Sequence, residues 1–205
     1  APIIKWVINS AIKSNCFKNI YVSTDSHEIA RIAKKNGAKV PFIRPNNLAD
    51  DHTSTLDVIK HAIIKLKNQG IIINNVCCLY ATAPLVQISD LIEGNNLIEN
   101  SLKKRFVFSA SYYEYPIQRA LFLDKNNYSK MIESKFINAR SQDLNHAFHD
   151  AGQFYWGSSE TWLNESNILE GSIPLFIPRW RVQDIDNLDD WNRAEIIHKI
   201  LAYKD

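Results

Sequence analysis

The sequence has too few glycines, spaced too widely, to form a glycine-rich phosphate loop. Its six glycines lie at positions 37, 70, 94, 152, 157 and 171 of 205 residues. Nucleotide-binding α/β domains commonly open with a strand and such a loop, whereas this chain opens at Ala1-Pro2 and enters a helical pattern directly. We therefore expect either a protein without this loop or a sequence from which the segment carrying it is missing.

Long apolar runs and an excess of one charge are also absent. No apolar run approaches the ~20 residues of a membrane span, and no segment has a signal-peptide pattern. The 24 basic and 22 acidic residues are scattered and give a net charge of +2, which does not support electrostatic binding to nucleic acid or membrane. We expect an ordinary soluble globular protein with one substantial core and with neither nucleic acid nor membrane among its partners.

Cysteine is scarce as well, with Cys16, Cys77 and Cys78 making an odd count. Neighbouring side chains of a strand point to opposite faces, so a disulfide between Cys77 and Cys78 is not expected. Free buried thiols fit a reducing, cytoplasmic compartment. No His-Cys constellation suggests a catalytic thiol.

Short apolar strand patterns alternate with amphipathic helix patterns through much of the chain. Strands are predicted at 19–23, 38–43, 76–80 and 106–110, and helices at 4–15, at 27–36 behind Ser26, from Thr53 or Ser54 to before Gly70, and behind Ser89. Such alternation predicts an α/β fold with a doubly wound, mostly parallel sheet. From about 112 to 150, aromatic residues and turn signals replace it, which predicts an excursion inserted into a single domain.

The most informative feature that is present is the pair Asp184 and Asp186, which follows the apolar segment 173–180. We place the two carboxylates at the open end of a strand, where side chains two residues apart share a face. Close carboxylates repel unless a cation or shared proton lies between them, and hard oxygen ligands suit Mg²⁺ that also grips substrate phosphates. The alternative is a solvated turn in which Asn187 or Asp186 caps the next helix.

Several segments together resemble the cytidylyltransferases that activate nonulosonic, sialic-acid-like sugars, and most closely those specific for pseudaminic acid. The first group comprises Val22-Ser-Thr-Asp-Ser26, Phe42-Ile-Arg-Pro45, Asp50-Asp-His-Thr-Ser-Thr55, Cys77-Cys-Leu-Tyr-Ala-Thr-Ala-Pro84 and Val182-Gln-Asp-Ile-Asp186. The more specific group comprises Tyr115-Pro-Ile-Gln-Arg-Ala-Leu121, Arg140-Ser-Gln-Asp-Leu144 and His149-Asp-Ala-Gly-Gln-Phe-Tyr-Trp156. The resemblance spans essentially the whole chain and implies a Rossmann-like nucleotidyltransferase fold.

The resemblance implies that CTP and a nine-carbon keto sugar acid give a CMP-sugar and pyrophosphate, with Mg²⁺ as cofactor. It assigns Asp184 and Asp186 to the metal and to catalysis. Nucleotide-contacting positions of the family correspond to Arg44, Thr53, Ser54, Ala81 and Thr82. Without the resemblance, Arg44 is interpreted as a surface ion pair and Ser54 as a helix cap.

For the sugar, the resemblance assigns Arg140, Gln142, His149, Asp150 and Gly152. Arg140 is a candidate catalytic residue that grips the sugar carboxylate, since a guanidinium pairs with a carboxylate in two bonds; its alternative is an interface salt bridge. For His149 a structural role is the alternative. The family also implies a homodimer built largely by the region 112–150, with Tyr112, Tyr113 and Tyr115 as interface anchors.

The chain departs from the family pattern at three places. Most relatives have Pro where Ala81 stands, and sialic acid enzymes have Gln where Tyr80 stands. The family's first strand and basic triphosphate loop, roughly two dozen residues, are absent from this sequence, so a polypeptide that truly starts at Ala1 is expected to be inactive.

Two other functions fit parts of the pattern. A glycosyltransferase that uses a nucleotide sugar also has an Asp-x-Asp metal site, although that pair usually lies mid-chain. A non-catalytic homologue that acts as a binding partner would explain the missing loop, but Asp184, Asp186 and Arg140 argue against it.

Overall fold

The computed structural model describes residues 1–101 and 105–202. The helices in this part of the chain are α1 (Ile3–Ser14), α2 (His27–Lys35), α3 (Thr55–Asn68), α4 (Ile88–Asn100), α5 (Ser159–Asn164) and α6 (Leu188–Ala202). The strands are β1 (Asn75–Leu79), β2 (Val107–Tyr112), β3 (Leu121–Leu123), β4 (Ser129–Met131), β5 (Phe148–Ser158) and β6 (Ile173–Phe176). None of the helices described is long and apolar enough to cross a membrane.

The main sheet has the strand order β1-β5-β2-β6. β2 pairs with β6 in parallel, whereas β5 pairs antiparallel with both β1 and β2. The strands β1, β2 and β6 therefore run in one direction, and their carboxyl ends lie at one edge of the sheet. This arrangement confirms the predicted α/β class with a mostly parallel sheet, and adds a long reversed strand that periodicity did not predict.

Both faces of the sheet are covered, because neighbouring strand residues alternate between two core clusters. On one face Val107, Phe154 and Trp156 pack with residues of α4, whereas on the other Phe108 and Tyr155 pack with residues of α3 and α5. Cys77 and Cys78 follow the same alternation and contact opposite clusters. Because both faces are buried, the sequences of these strands are continuous apolar runs, as expected for such a sheet.

Side-chain caps start two of the helices as predicted. The hydroxyl of Ser26 accepts the N–H of Ile29 at the start of α2, and that of Ser54 accepts the N–H of Asp57 at the start of α3. The prediction that Ser89 caps α4 is wrong. Gln87, in an extended conformation, is the N-cap residue, so Ser89 already lies inside the first turn.

The predicted strands at 19–23 and 38–43 are wrong as regular strands, since they meet only at the parallel bridge Tyr21–Lys39. Two hydrogen bonds support that bridge, from the Val22 N–H to the Lys39 carbonyl and from the Lys39 N–H to the Ile20 carbonyl. The apolar residues of both segments pack against α1 and α2 in a third, smaller core cluster. One bridge between the two segments is too short to make a regular ladder.

A wide bulge interrupts β5 where it leaves the register of β2. Phe108 pairs with Tyr155 and Ala110 with Asp150, so the residues between them on β5 face Ser109 alone. The buried hydroxyl of Ser109 accepts the N–H groups of Gln153 and Phe154, at 3.1 and 3.3 Å. This side chain satisfies two backbone donors that the strand pairing leaves free.

The region between β2 and β5, where the excursion is predicted, has little regular structure. The hairpin of β3 and β4 is accompanied by short 3₁₀ turns at Ile117–Arg119, Ser134–Phe136 and Ser141–Asp143. Many of its large apolar side chains are exposed, among them Tyr115, Leu121, Leu123, Tyr128, Ile132 and Ile137.

Candidate active site

Hydrogen bonds draw three loops together at the carboxyl edge of the sheet. The N–H of Tyr80, just after β1, donates to the carbonyl of Gln153 in the bulge at 3.1 Å. The side-chain amide of Gln153 donates to the carbonyl of Arg181 at 2.7 Å. The loop with Ala81 and Thr82, the bulge with Asp150 and Gly152, and the segment leading to Asp184 are therefore neighbours, as expected for a site beyond the strand ends.

Asp184 and Asp186 lie on the connection between β6 and α6, after a 3₁₀ turn at Arg179–Arg181. Both side chains are exposed. The segment has no regular secondary structure and bends at Asp186. Because β6 ends at Phe176, the prediction that the pair lies on the end of a strand is wrong. The Asp184 carboxylate accepts the N–H of Ile185 at 3.1 Å, which leaves most of its oxygen lone pairs available to a ligand.

The capping alternative applies to Asn187 rather than to Asp186. The side-chain oxygen of Asn187 accepts the N–H of Asp190 at 3.0 Å, and the Asp190 carboxylate accepts the N–H groups of Asp186 and Asn187, both at 3.2 Å. This reciprocal pattern is a capping box at the start of α6. Since Asn187 and Asp190 satisfy the helix start, the carboxylates of Asp184 and Asp186 are not needed for it.

The donor set at Asp184 and Asp186 fits Mg²⁺ that shares its ligands with substrate phosphates. Such ions are typically held by one or two carboxylates plus phosphate oxygens and water. Residues 1–101 and 105–202 contain no group of three or more His, Cys, Asp or Glu placed to hold a metal. The described part of the chain alone therefore does not form a full metal cage, and a pair of exposed carboxylates is what the shared mode requires.

Arg44 lies half-buried beside the bridge of the small core. Its backbone N–H donates to the Thr24 carbonyl at 2.8 Å, and its Nη2 lies 3.5 Å from an oxygen of Asp25. Among the described residues its buried Nε has no hydrogen-bond partner, and neither does the buried hydroxyl of Ser23. A guanidinium with an unused donor can bind phosphate or carbonyl oxygens of a nucleotide. The contact with Asp25 also agrees with the alternative interpretation, a surface ion pair.

His61, on α3, faces the same region and was not predicted from the sequence. Its ring packs edge-on against Phe42 at 5.2 Å between centroids, and neither buried ring nitrogen has a partner within the described residues. Burial, aided by the positive charges of Lys65 and Arg44, lowers the pKa of His61. The imidazole is therefore neutral near pH 7. A histidine within an amphipathic helix pattern carries no signal that distinguishes it from a core residue.

The Thr53-Ser54 segment is held by its own turn. The hydroxyl and N–H of Thr53 both donate to one oxygen of Asp50, at 2.8 and 2.7 Å. These bonds, with one from the His52 N–H, lower the pKa of Asp50. Ser54 caps α3 and also donates its hydroxyl to Asp57 at 2.7 Å. The structural interpretation of Ser54 is thus confirmed, and its hydroxyl retains an accepting lone pair.

The loop after β1 places Ala81 and Thr82 in an exposed turn, closed by the bond from the Ala83 N–H to the Tyr80 carbonyl at 3.1 Å. The Tyr80 hydroxyl lies 2.7 Å from that of Thr55. Tyr80 therefore fixes this turn to the start of α3. The two predicted nucleotide-binding segments are in this way held next to each other.

The sugar-side residues of the bulge form a connected polar group. Asp150 accepts the N–H of Gly152 at 2.8 Å and the hydroxyl of Tyr155 at 2.5 Å. Burial, with Asp150 nearby, raises the pKa of Tyr155, so its phenol stays protonated and keeps donating. A cavity of about 440 Å³ opens beside His149 and Asp150, and a side chain added at Gly152 would meet open space.

Comparison with known proteins identifies the family. A family model described as Cytidylyltransferase matches residues 1–166. The chain belongs to the cytidylyltransferase family. It is 43% identical over 201 residues to the pseudaminic acid cytidylyltransferase of Campylobacter jejuni subsp. jejuni serotype O:2, covering 97% of this chain and 86% of that protein. A Helicobacter pylori protein, named pseudaminic acid cytidylyltransferase and UDP-2,4-diacetamido-2,4,6-trideoxy-beta-L-altropyranose hydrolase, is 31% identical over 187 residues, 90% of this chain and 35% of that one.

A solved structure supports the fold of this cytidylyltransferase. The CMP:2-keto-3-deoxy-manno-octonic acid synthetase complexed with CTP superposes with a TM-score of 0.65 at 14% identity, covering 100% of this chain and 89% of that one. At that identity the likeness shows the fold alone. None of these comparisons supports a glycosyltransferase or a non-catalytic binding partner.

Two predicted residues of this cytidylyltransferase lie in the excursion rather than on the three loops at the sheet edge. Arg140 and Gln142 are exposed in the excursion. The guanidinium of Arg140 donates twice to Asp143 in the same turn, at 2.8 and 3.2 Å, and these are its side-chain hydrogen bonds in the described chain. In the described part of the chain these bonds join Arg140 to its own turn and not to the bulge or to Asp184.

Proposed function

We propose that this cytidylyltransferase transfers CMP from CTP to a nonulosonic acid, pseudaminic acid above all, and releases pyrophosphate. The observation that carries the proposal is the 43% identity to a pseudaminic acid cytidylyltransferase along 97% of the chain. The meeting of three loops at the sheet edge supports it, because they hold the residues that the motifs assign to nucleotide, sugar and metal.

In this reaction the anomeric hydroxyl oxygen of the sugar forms a bond to the α-phosphorus of CTP. The bond from that phosphorus to the oxygen bridging to the β-phosphate breaks, pyrophosphate leaves, and the hydroxyl proton passes to solvent. Such a displacement needs positioning and charge neutralisation more than covalent help from the protein. The chain supplies donors for phosphate and ribose from Arg44 and Thr82. Thr53 and Ser54, whose hydroxyls donate to Asp50 and Asp57, offer hydroxyl acceptors at the start of α3, a helix N-terminus that favours anions.

Asp184 and Asp186 would hold the magnesium ion, which when bound neutralises phosphate charge and orients phosphate oxygens. Both residues are catalytic in this proposal. Their segment is anchored before Asp184 by Arg181 and after Asp186 by the capping box, so the carboxylates themselves remain free for the ion.

On the sugar side, Gly152 leaves room for the substrate to approach the bulge, and Asp150 and His149 border the cavity there. The sugar carboxylate needs a cation. We assign that role to Arg140, with Gln142 beside it, acting in the site of a second copy of the chain. The exposed apolar side chains of the excursion support a homodimer of this kind.

The free thiols of Cys16, Cys77 and Cys78 support a reducing compartment, and we propose the cytoplasm, where CTP is available, as the site of the reaction.

The proposal is tested by mixing the complete protein with CTP, Mg²⁺ and pseudaminic acid and measuring pyrophosphate release. Asp186→Asn should reduce turnover at least ~100-fold without changing the thermal midpoint, as expected for loss of a transition-state charge contact. Asp189→Asn is the matched control, because Asp189 is an exposed carboxylate in the first turn of α6, and it should leave turnover unchanged. Near-normal turnover of the Asp186 variant would disprove the metal assignment, and absence of pyrophosphate with every nonulosonic acid would disprove the function.

A further inference from the structure

A buried ion pair joins α4 to the residue from which the Asp184 segment departs. The guanidinium of Arg181 donates through Nη1 to Oδ2 of Asp90 and through Nη2 to Oδ1 at 3.1 Å. The two side chains are 9% and 8% exposed, and the residues are 91 positions apart in sequence. A bidentate pair fixes direction as well as distance, so the guanidinium cannot rotate without losing a bond.

The backbone of Arg181 is held as firmly as its side chain. Its N–H donates to the Pro178 carbonyl at 2.9 Å, and its carbonyl accepts the amide of Gln153 at 2.7 Å. The next residue, Val182, packs against the core cluster that contains Phe154 and Leu175. After Val182, Gln183 alone precedes Asp184. The orientation of Arg181 therefore determines where the Asp184 carboxylate, the first of the two assigned to the metal, lies.

We propose that Asp90, Arg181 and Gln153 form a clamp that positions Asp184 and Asp186 for the cation. This inference rests on the proposed function, and it makes the three residues positioning residues, since none of them touches substrate or metal. Gln153 gives the clamp a second task. Its own carbonyl accepts the Tyr80 N–H at 3.1 Å, so the same residue sets the distance between the nucleotide loop and the metal segment.

A purely structural role for the ion pair is the competing explanation. Buried ion pairs are often replaced by apolar side chains of similar size without loss of stability, whereas removal of one partner is strongly destabilising. A double variant, Asp90→Leu with Arg181→Met, therefore distinguishes the two explanations, because it keeps the interior filled but lacks the directional bonds. The ion pair of the clamp is then lost while the fold remains.

The test measures binding of Mn²⁺, as a probe for the cation, to the complete protein saturated with CTP, using the paramagnetic resonance signal of free Mn²⁺. We expect Arg181→Lys and the double variant to raise the half-saturating Mn²⁺ concentration about tenfold or more, the usual effect of losing support behind a metal ligand. The thermal midpoint of the double variant and its affinity for CTP without metal should stay close to wild type. If Arg181→Lys does not fold, the double variant alone decides.

Arg179→Met is the matched control, because Arg179 lies in the same turn and its side chain, within the described residues, forms an exposed pair with Glu114 at 3.5 Å. It should leave Mn²⁺ binding unchanged, and an equal loss there would overturn the clamp in favour of a general charge effect. Wild-type Mn²⁺ affinity in the stable double variant would also overturn it. Asp186→Asn tests the metal assignment separately from the clamp. If it weakens Mn²⁺ binding while the clamp variants do not, only the clamp is disproved. If it has no effect, the clamp and the metal assignment are both disproved.

Discussion

At the scale of single residues, burial determines the chemistry of the adjacent cysteines. Burial raises the pKa of Cys78 to about 12 and that of Cys77 well above its ordinary value. The reactive form of a cysteine is the thiolate, which at pH 8 is then only about one part in ten thousand for Cys78. We expect Ellman's reagent to label at most Cys16 in the folded protein, and all three thiols in urea. Rapid labelling of more than one thiol in the folded protein would contradict this burial.

The same pKa shift has a consequence for stability. A group whose pKa is higher in the folded than in the unfolded state contributes stability below its unfolded pKa and loses that contribution as pH rises toward the folded value. For Cys78 this window runs from pH 9.0 to about 12. The free energy of unfolding by urea should therefore fall across the alkaline part of this window, and Cys78→Ala should reduce the slope.

Ser54 has a structural and a proposed functional role that one pair of variants can separate. Ser54→Ala removes the cap of α3 and should reduce the free energy of unfolding by about 1 kcal/mol, whereas Ser54→Asn retains a cap. If the hydroxyl also contacts the nucleotide, both variants should weaken CTP binding in calorimetry. Ser26→Ala removes the cap of α2 and should lower stability by a similar amount with unchanged CTP affinity. Full CTP affinity in Ser54→Asn would restrict Ser54 to capping.

At the scale of elements, the bulge of β5 depends on one buried hydroxyl. Ser109 is 0% exposed and is the acceptor for two N–H groups of the bulge. Ser109→Ala leaves both donors buried without a partner and should reduce the free energy of unfolding by about 2–6 kcal/mol, at roughly 1–3 kcal/mol per lost partner. Ser111→Ala is the control. Its buried hydroxyl donates to the Ile177 carbonyl at 3.3 Å, so a smaller loss is expected in urea unfolding. Equal losses would show that the bulge does not depend on Ser109.

Elements that are determined by neighbouring residues can be predicted from the sequence, whereas elements that depend on distant strand partners cannot. The Ser26 cap and the left-handed Gly37, with φ of 95°, follow from a few neighbouring residues, and the helix between them was predicted correctly. The pairing at 19–23 and 38–43 depends on distant partners, and regular strands were wrongly predicted there. The reversed β5 is likewise set by its pairing with β1 and β2, which no periodicity encodes.

The candidate site shows the same division between local and distant causes. Short motifs mark Asp184, Asp186 and Arg44 as candidates, because each lies in a recognisable stretch of sequence, and their roles stay predictions. The supporting residues were missed. Asp90 and Arg181 are brought together across 91 positions, and Gln153 acts through a bulge, so none of the three has a local pattern that marks it.

At the scale of the whole molecule, the main sheet and the excursion differ in how their apolar residues are covered. The sheet is enclosed on both faces by helices, whereas in the hairpin of β3 and β4 the side chains of Leu121, Phe122 and Leu123 are all exposed. A two-stranded hairpin is at best marginally stable alone in water. A second copy of the chain that covers this hairpin would bury these exposed apolar side chains and would bring Arg140 toward the partner's site.

The proposed homodimer can be tested at this hairpin without disturbing the core. Leu121→Glu combined with Leu123→Glu adds charge to one face of β3, and light scattering should then give the mass of one chain instead of two. Ile72→Glu is the matched control, since Ile72 is 91% exposed and lies outside the excursion, and it should leave the mass at two chains.

If Arg140 acts across the interface, the monomeric variant should still bind CTP but should lose affinity for the sugar acid, because only the sugar contact crosses between copies. A monomeric variant with full activity would place the sugar's cationic partner elsewhere in the same chain, and a wild-type protein that is itself monomeric would remove the basis for the assignment of Arg140.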